Sequence, residues 1–215
     1  MNKYTQAHFA QSALITIDTQ NDFTLEGAPF RIPGTAEVVP QMVQMLDKYR
    51  SKGLTIIHVI RLYLQDGSNV DLCRRQLVEQ GAQIVAAETT GAELVQDLKP
   101  DSSVKLDTDE LMAGNFQQAG KNEFVMYKPR WGAFYKTGLE SFLKQRGIDT
   151  LVFTGCNFPN CPRASIYQAS ERDFRIVLVK DAVSQLYPAA EEEMKNIGVN
   201  LLSASAVHEH VSLIK

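Results

Sequence analysis

Three side chains that together could carry out nucleophilic catalysis follow three predicted strands of the chain. They are the carboxylate Asp18, the amine Lys128 and the thiol Cys161. A thiol is a strong nucleophile as its thiolate, and a neighbouring acid can take the thiol proton and return it to a leaving group. Taken singly, each residue is also compatible with a structural role, as a capping acid, a solvated amine or a small buried apolar side chain. Their shared position at strand ends makes them a candidate catalytic set.

The local sequence around Cys161 predicts that this thiol lies at the start of a helix. Asn160 is a favourable N-cap residue, and Pro162 is tolerated in the first helical turn. Because the helix macrodipole favours an anion at its N-terminus, we expect a lowered pKa for the Cys161 thiol, with Lys128 adding to the effect. Asp18 is then the candidate general base.

The other two cysteines are expected to have different roles. Cys156 follows the strand before the predicted helix and is expected to pack or to line the pocket, whereas Cys73 is expected to be structural. An odd number of cysteines in a chain of this length argues against a disulfide framework. A redox pair of Cys156 and Cys161 is an alternative, although its spacing differs from Cys-x-x-Cys.

Alternating strand and helix patterns must position these residues. We therefore predict an α/β fold of three αβα layers, with a Rossmann-like, doubly wound, mostly parallel sheet of six strands, in a single domain over 1–215. Sites in such sheets form at the carboxyl ends of strands, where the three candidate residues fall. The predicted strands are 13–18, 54–60, 124–127, 150–154, 175–180 and 200–205, and Gly53, Gly147 and Gly198 are predicted to close helices.

Composition limits the class of protein and of partner. The chain has 215 residues, a net charge of −3 and 44% hydrophobic residues, which is typical of a globular domain. The near-neutral charge predicts neither nucleic acid nor an anionic membrane surface as partner. No apolar stretch approaches the length of a membrane span, and the N-terminus does not resemble a signal peptide, so we expect a cytoplasmic protein acting on a small molecule.

Three motifs resemble the isochorismatase-like cysteine hydrolase superfamily. They are IDTQNDF at 17–23, KPRWGAF at 128–134 and TGCNFPNC at 154–161, in the order and spacing of that superfamily. The motifs are most similar to those of ureidoacrylate and N-carbamoylsarcosine amidohydrolases. The resemblance implies an Asp18, Lys128 and Cys161 triad, attack by Cys161 on a carbonyl carbon, and a homo-oligomer, either a dimer or a tetramer.

The same resemblance implies how the transition state would be stabilised. It implies a non-proline cis peptide between Cys156 and Asn157, and an oxyanion hole made by the backbone N–H groups of Asn157 and Cys161. Two converging donors at a helix start are suited to stabilise a developing negative charge.

One metal motif of the superfamily is missing. Nicotinamidases carry Asp-x-His after the second strand, whereas this chain has HVIRLYL at 58–64. We therefore predict no metal and no cofactor, and we interpret His58 as a hydrogen-bonded histidine of the core.

Three residues near the strand ends are candidates for substrate binding. Phe23 could form an apolar wall, Trp131 could stack on a planar substrate, and Arg61 could pair with a carboxylate. The alternatives are a core position for Trp131 and a surface ion pair for Arg61.

The favoured function is hydrolysis of a C–N bond in a small amide or ureido compound through a Cys161 thioester. Hydrolysis of a vinyl ether, as by isochorismatase itself, is the alternative, but that reaction does not need a covalent cysteine. A non-catalytic or redox-sensing protein is a second alternative.

Overall fold

The computed structural model describes residues 2–214 of the chain. Met1 and Lys215, the first and last residues of the predicted single domain, lie outside the described residues. Strands and helices alternate along nearly the whole chain. The elements are β1 (Ser12–Ile17), α1 (Asn21–Thr24), α2 (Thr35–Lys52), β2 (Thr55–Ile60), α3 (Leu72–Glu79), α4 (Thr108–Met112), β3 (Phe116–Gly120), β4 (Glu123–Tyr127), α5 (Leu139–Gln145), β5 (Thr150–Gly155), α6 (Cys161–Ser170), β6 (Arg175–Val183), α7 (Pro188–Asn196), β7 (Asn200–Leu202) and α8 (Ala204–Ser212).

One sheet of seven strands runs through the centre of the molecule, in the order β3-β4-β2-β1-β5-β6-β7. Every neighbouring pair is parallel except β3 and β4, which are antiparallel. The mostly parallel α/β fold is therefore confirmed, but the predicted count of six strands is wrong by one. The missed strand, β3, has the sequence FQQAG, which lacks apolar alternation, and it forms at the sheet edge by pairing with β4.

The sheet is covered on both faces, which confirms the three predicted layers. Side chains of β1 alternate between two apolar clusters, with Leu14 facing α2 and α8 and Ile15 facing α5, α6 and α7. All six residues of β1 are buried, as expected of a central parallel strand. Burial of each large apolar side chain in such a cluster contributes roughly 1.5–3 kcal/mol.

Glycines close the helices where the sequence predicts it. Gly53 has φ of 64° at the end of α2, and its N–H donates to the carbonyl oxygens of the last turn. Gly147 and Gly198 follow α5 and α7 with φ of 66° and 80°. A left-handed residue at this position satisfies the last carbonyls of a helix, and glycine adopts it without a Cβ penalty.

The C-terminal region differs from the prediction. The predicted strand 200–205 is the short β7 followed by α8, because the Ser203 side chain accepts from the Ala206 N–H and starts a helix. His210 lies in α8 and stacks on Phe9 with a centroid distance of 4.7 Å.

A buried polar network ties α2 to the sheet. His58 is fully buried, with Nδ1 2.8 Å from the Thr16 hydroxyl and Nε2 2.7 Å from Glu123 Oε1. Arg50 donates from Nε and Nη2 to both oxygens of the same carboxylate, at 2.9 and 2.7 Å. The prediction that His58 is a hydrogen-bonded core histidine is confirmed.

The strand order creates a reversal point beside β1. The chain proceeds from β1 to β2 on one side and returns to β5 on the other, so the loops after β1 and β5 diverge. Ligand sites in open α/β sheets form at the carboxyl ends of strands at such a point. Within residues 2–214, no helix combines the length and apolar character needed to cross a membrane.

Candidate active site

Asp18 directly follows β1 and has an unusual backbone conformation. Its φ is 47°, in the left-handed region, and its N–H donates to the Val59 carbonyl at 2.9 Å. Aspartate tolerates this conformation better than most residues, and such backbone geometry is concentrated at functional sites. The side chain is 4% exposed, and one of its oxygens, Oδ1, has no hydrogen-bond partner in the described part of the chain.

Lys128 connects the acid to the thiol. It directly follows β4, is fully buried, and its Nζ donates to Asp18 Oδ2 at 2.7 Å. The same Nζ lies 3.3 Å from Cys161 Sγ. The structure therefore brings together the three side chains that the sequence places at separate strand ends.

Cys161 is the first residue of α6. Asn160 occupies the N-cap position and Pro162 lies in the first turn, as predicted. The Asn160 side chain makes no capping hydrogen bond and donates instead to Asn157 Oδ1 at 3.2 Å. The thiol thus lies at a helix N-terminus and is 5% exposed.

The expected lowering of the Cys161 pKa is wrong. Burial and the nearby Asp18 carboxylate raise the pKa of this thiol to about 11, and the opposing effects of Lys128 and Arg61 are smaller. The sequence analysis counted the cations and the helix start but not the loss of water around the sulfur. The resting side chain at neutral pH is consequently the neutral thiol, and a thiolate must be generated by proton transfer.

The turn between β5 and α6 is shaped by Gly155. This residue has φ of 110°, and a Cβ at its position would lie 2.3 Å from the Ile17 carbonyl oxygen, so a side chain is excluded. The following N–H, that of Cys156, donates to the same oxygen at 2.8 Å. Close packing of β5 against β1 therefore sets where the turn begins.

The expected cis peptide between Cys156 and Asn157 is not found. Every peptide bond in residues 2–214 is trans, including this one. The chain reverses through the positive φ of Gly155, and the hydrogen bond from the Phe158 N–H to the Ser184 carbonyl, at 2.8 Å, holds the turn in place. A trans bond is also the lower-energy form for a residue other than proline.

The two backbone N–H groups expected to form the oxyanion hole make no hydrogen bond within residues 2–214. In the described chain, neither the Asn157 N–H nor the Cys161 N–H donates to a backbone or side-chain acceptor. The Asn157 side chain is held on both sides, since it donates to Gln185 Oε1 at 2.7 Å and accepts from Asn160. The geometry leaves both donors available at the start of α6.

The remaining two thiols also differ from each other. Cys156 is buried beside the hydroxyls of Thr35 and Ser184, and burial raises its pKa to about 12. Cys73 is exposed on α3, which contradicts the structural packing role expected for it. All three cysteines are free.

Two of the three predicted substrate-binding residues, Phe23 and Trp131, lie beside a further arginine, Arg74 of α3, and the third, Arg61, lies beside Trp131. The Arg74 guanidinium carbon lies 5.4 Å from the ring centroid of Phe23 and 5.3 Å from that of Trp131. Arg61 is 5.6 Å from the Trp131 ring, which is half-buried. Arg61 itself is 1% exposed, so the alternative of a surface ion pair for it is wrong.

Arg74 and two further residues, Tyr63 and Asp71, were not identified as site residues from the sequence. The Tyr63 hydroxyl donates to Asp71 Oδ2 at 2.6 Å and accepts from Arg74 Nη1 at 3.1 Å. The signal available in the sequence was the pair Asp71 and Arg74, an acid and an arginine three residues apart in the segment that follows the second strand. Because α3 has no buried residue, periodicity alone did not indicate which side chain turns inward.

No group suited to a metal ion is found among the residues that the structure describes, since three or more His, Cys, Asp or Glu side chains nowhere cluster as ligands. The Lys128 ammonium occupies the position between the acid and the thiol. The groups that act on Cys161 and Asp18 include the cations Lys128 and Arg61, which are not metal ligands at neutral pH.

Comparison with known proteins assigns the family. The isochorismatase domain model matches residues 12–107 and 107–205. A probable inactive nicotinamidase of Arabidopsis thaliana is 32% identical over 194 residues, covering 87% of this chain and 90% of the relative. A ureidoacrylate amidohydrolase of Methylorubrum extorquens is 26% identical over 206 residues, covering 86% of this chain and 75% of the relative.

Solved structures agree with this assignment. An isochorismatase family protein of Desulfovibrio vulgaris superposes with a TM-score of 0.78 at 32% identity, covering 94% of this chain and 98% of that protein. The overall fold is thus shared with a solved member of the family. The chain belongs to the isochorismatase family of hydrolases.

Proposed function

We propose that this protein is a cysteine amidohydrolase that cleaves a C–N bond of a small amide or ureido compound through a Cys161 thioester. The observation that carries the proposal is the buried contact of Lys128 Nζ with both Asp18, at 2.7 Å, and Cys161, at 3.3 Å. An acid, a cation and a thiol held together away from water are suited to nucleophilic attack on a carbonyl.

Attack begins from the neutral thiol. The Cys161 sulfur forms a bond with the carbonyl carbon while its proton moves to Asp18, whose Oδ1 has no partner within residues 2–214. Electrons of the carbonyl double bond move to the oxygen. The N–H groups of Asn157 and Cys161 then stabilise the resulting oxyanion.

The tetrahedral intermediate collapses by breaking the C–N bond. The proton on Asp18 passes to the leaving nitrogen, which departs as ammonia or an amine, and Cys161 is left as a thioester. Water attacks the thioester carbon with Asp18 again taking a proton. The acid product leaves, and the thiol recovers its proton.

Lys128 serves this cycle by stabilising charge. Its ammonium group pairs with Asp18 and, by lying near Cys161, also stabilises the thiolate as it forms. A cation that contacts both groups stabilises the negative charge before the proton transfer, on Asp18, and after it, on Cys161. The name of the Methylorubrum relative, an amidohydrolase, is consistent with this chemistry.

The proposal is tested with a panel of small amides and ureido acids. The wild-type protein should release ammonia from at least one compound, and intact-mass measurement after rapid quenching should detect an acyl adduct on Cys161. We expect Cys161→Ala to reduce turnover by at least about 1,000-fold, because the nucleophile is removed. Cys156→Ala is the matched control, since it removes a neighbouring buried thiol, and it should retain most of the activity.

Three outcomes would contradict the proposal. Full turnover by Cys161→Ala would exclude a covalent cysteine mechanism. Pyruvate release from isochorismate, undiminished in Cys161→Ala, would favour vinyl ether hydrolysis. A folded wild-type protein without any turnover or adduct would favour a non-catalytic member, as the name of the Arabidopsis relative indicates for that protein.

A further inference from the structure

A buried arginine next to the site lacks the partners that a buried charge requires. Arg61 is 1% exposed, and its Nε, Nη1 and Nη2 atoms are all buried without a hydrogen bond to any residue in 2–214. Burial of a charged group is unfavourable unless the group is paired and hydrogen-bonded. Five N–H donors are therefore held in a fixed position with no acceptor from the chain.

The nearest carboxylate does not satisfy this arginine. Asp71 Oδ2 lies 3.2 Å from Arg61 Nη1, but the two groups are not aligned for a hydrogen bond. The same oxygen already accepts from the Tyr63 hydroxyl at 2.6 Å. Asp71 thus offsets part of the charge of Arg61 without using its donors.

The surroundings of Arg61 carry an excess of positive charge. Arg61 and Arg130 lie 3.2 and 3.8 Å from oxygens of the Asp71 carboxylate, and Arg74 donates to the neighbouring Tyr63 hydroxyl, so three guanidinium groups surround one acid. Lys128 and Asp18 neutralise each other in the adjacent pair. We call Arg61, Arg74, Arg130 and Asp71 the arginine cluster. Because positive charge exceeds negative charge in the arginine cluster, it attracts an anion.

Two aromatic side chains border the arginine cluster. The Trp131 ring lies 5.6 Å from Arg61 and 5.3 Å from Arg74, and the Phe23 ring lies 5.4 Å from Arg74. Arg61 is also close enough to Cys161 to act against the rise of its thiol pKa. A ligand group that pairs with Arg61 therefore lies close to both the Trp131 ring and the Cys161 thiol.

We propose that Arg61, supported by Arg74, binds a carboxylate of the substrate, so that the substrate is a small, flat amide or ureido acid rather than a neutral amide. This inference rests on the proposed function for the carbonyl that Cys161 attacks. A carboxylate accepts two parallel N–H bonds from a guanidinium group, which supplies the acceptors that Arg61 lacks. Binding at one end then places the amide carbonyl at the thiol.

The first experiment measures binding without turnover. Calorimetry on the Cys161→Ala protein compares succinamate with succinamide, and N-carbamoylglycine with its amide, because each pair differs only in the carboxylate. We expect the acid of each pair to bind at least about tenfold more tightly. Inorganic phosphate and sulfate are included as competitors, and a carboxylate site predicts that neither competes at equal concentration.

Substitutions assign the preference to Arg61. In the Cys161→Ala background, Arg61→Gln should abolish the difference between acid and amide, and Arg74→Gln should reduce it. Arg146→Gln, which changes an arginine stacked on Phe142 outside the arginine cluster, should leave the difference unchanged. If Arg61→Gln does not fold, Arg74→Gln still tests the inference. Arg74 is only half-buried, so its substitution is expected to leave the protein folded.

The outcomes separate this inference from the proposed function. Equal or absent binding of the acid and amide, an unchanged preference in the folded arginine variants, or equal competition by phosphate would overturn carboxylate recognition. Turnover that survives Cys161→Ala would overturn the thioester mechanism while leaving a measured carboxylate preference intact.

Discussion

At the scale of single residues, burial dominates the chemistry of the candidate site. Asp18, Lys128 and Cys161 are each at most 5% exposed, so water does not screen their charges. The thiol remains protonated because desolvation and the Asp18 carboxylate outweigh the nearby cations. If Cys161 is the nucleophile, as we propose, its protonation keeps the thiolate from accumulating before substrate arrives.

The protonation state of Cys161 gives a direct prediction. With a pKa of about 11, the Cys161 thiol should contribute almost no thiolate between pH 6 and 9, and the thiolate should appear only as the pH approaches 11. The measurement is thiolate absorbance near 240 nm in wild type minus that in Cys161→Ala. Cys156→Ala serves as a control for the second buried thiol. A full thiolate signal from Cys161 at pH 7 would contradict the prediction.

At the scale of elements, the turn between β5 and α6 determines where the thiol lies. Gly155 allows β5 to approach β1 so closely that the Cys156 N–H bonds to the Ile17 carbonyl at 2.8 Å. The short loop that follows leads directly into α6, whose first residue is Cys161. The position of the Cys161 thiol therefore depends on a glycine six residues earlier.

Substitution of this glycine should be strongly destabilising. Gly155→Ala places a Cβ 2.3 Å from the Ile17 carbonyl oxygen at φ of 110°, and we expect a loss of more than about 3 kcal/mol in the free energy of unfolding. Gly27→Ala is the matched control, because Gly27 also has a positive φ, 79°, but has no atom near the new Cβ. The control should cost only about 1 kcal/mol.

Urea unfolding of both variants at pH 7 measures this difference. Similar losses for Gly155→Ala and Gly27→Ala would mean that β1 and β5 can separate without cost, and the assigned role of the close approach would then be wrong. Retained activity in a folded Gly155→Ala protein would likewise contradict the dependence of the Cys161 position on this turn.

At the scale of the whole molecule, one carboxylate links the sheet to the helical layer that carries α2. Burial alone would raise the pKa of Glu123, but hydrogen bonds from Arg50 and His58 lower it from an ordinary 4.5 to about 2. A pKa lowered in the folded state stabilises the protein above the unfolded value, and this stability is lost as the pH falls from about 4.5 toward 2.

The acid sensitivity of the fold should therefore depend on Glu123. The shift corresponds to roughly 3 kcal/mol of stability at neutral pH. Urea unfolding at pH 7, 5 and 3.5 should show a steeper loss for wild type than for Glu123→Gln, since the variant has no carboxylate to protonate. Glu140→Gln, at a surface ion pair with Lys144, is the control and should retain the wild-type slope. Parallel slopes for wild type and Glu123→Gln would refute the prediction.

Some features of the fold were predictable because they depend on local patterns. The buried strand at β1, the helix-closing Gly53 and the helix start at Cys161 all follow from residue types over a few positions. Strand β3 and helix α8 were missed because pairing with β4 and capping by Ser203, rather than apolar periodicity, produce them. The approach of Arg74, on helix α3, to the predicted substrate-binding residues was not foreseen, because α3 has no buried residue to indicate its inward face.

The sequence by itself determined the α/β class, the family resemblance and the presence of Asp18, Lys128 and Cys161 at strand ends. Only the tertiary structure decided that the Cys161 pKa is raised, that Arg61 is buried without hydrogen-bond partners, and that Arg74 approaches the predicted substrate residues. The physical reason is that strand and helix patterns are local properties of the chain. Burial and charge interactions depend instead on through-space distances between segments that are far apart in sequence.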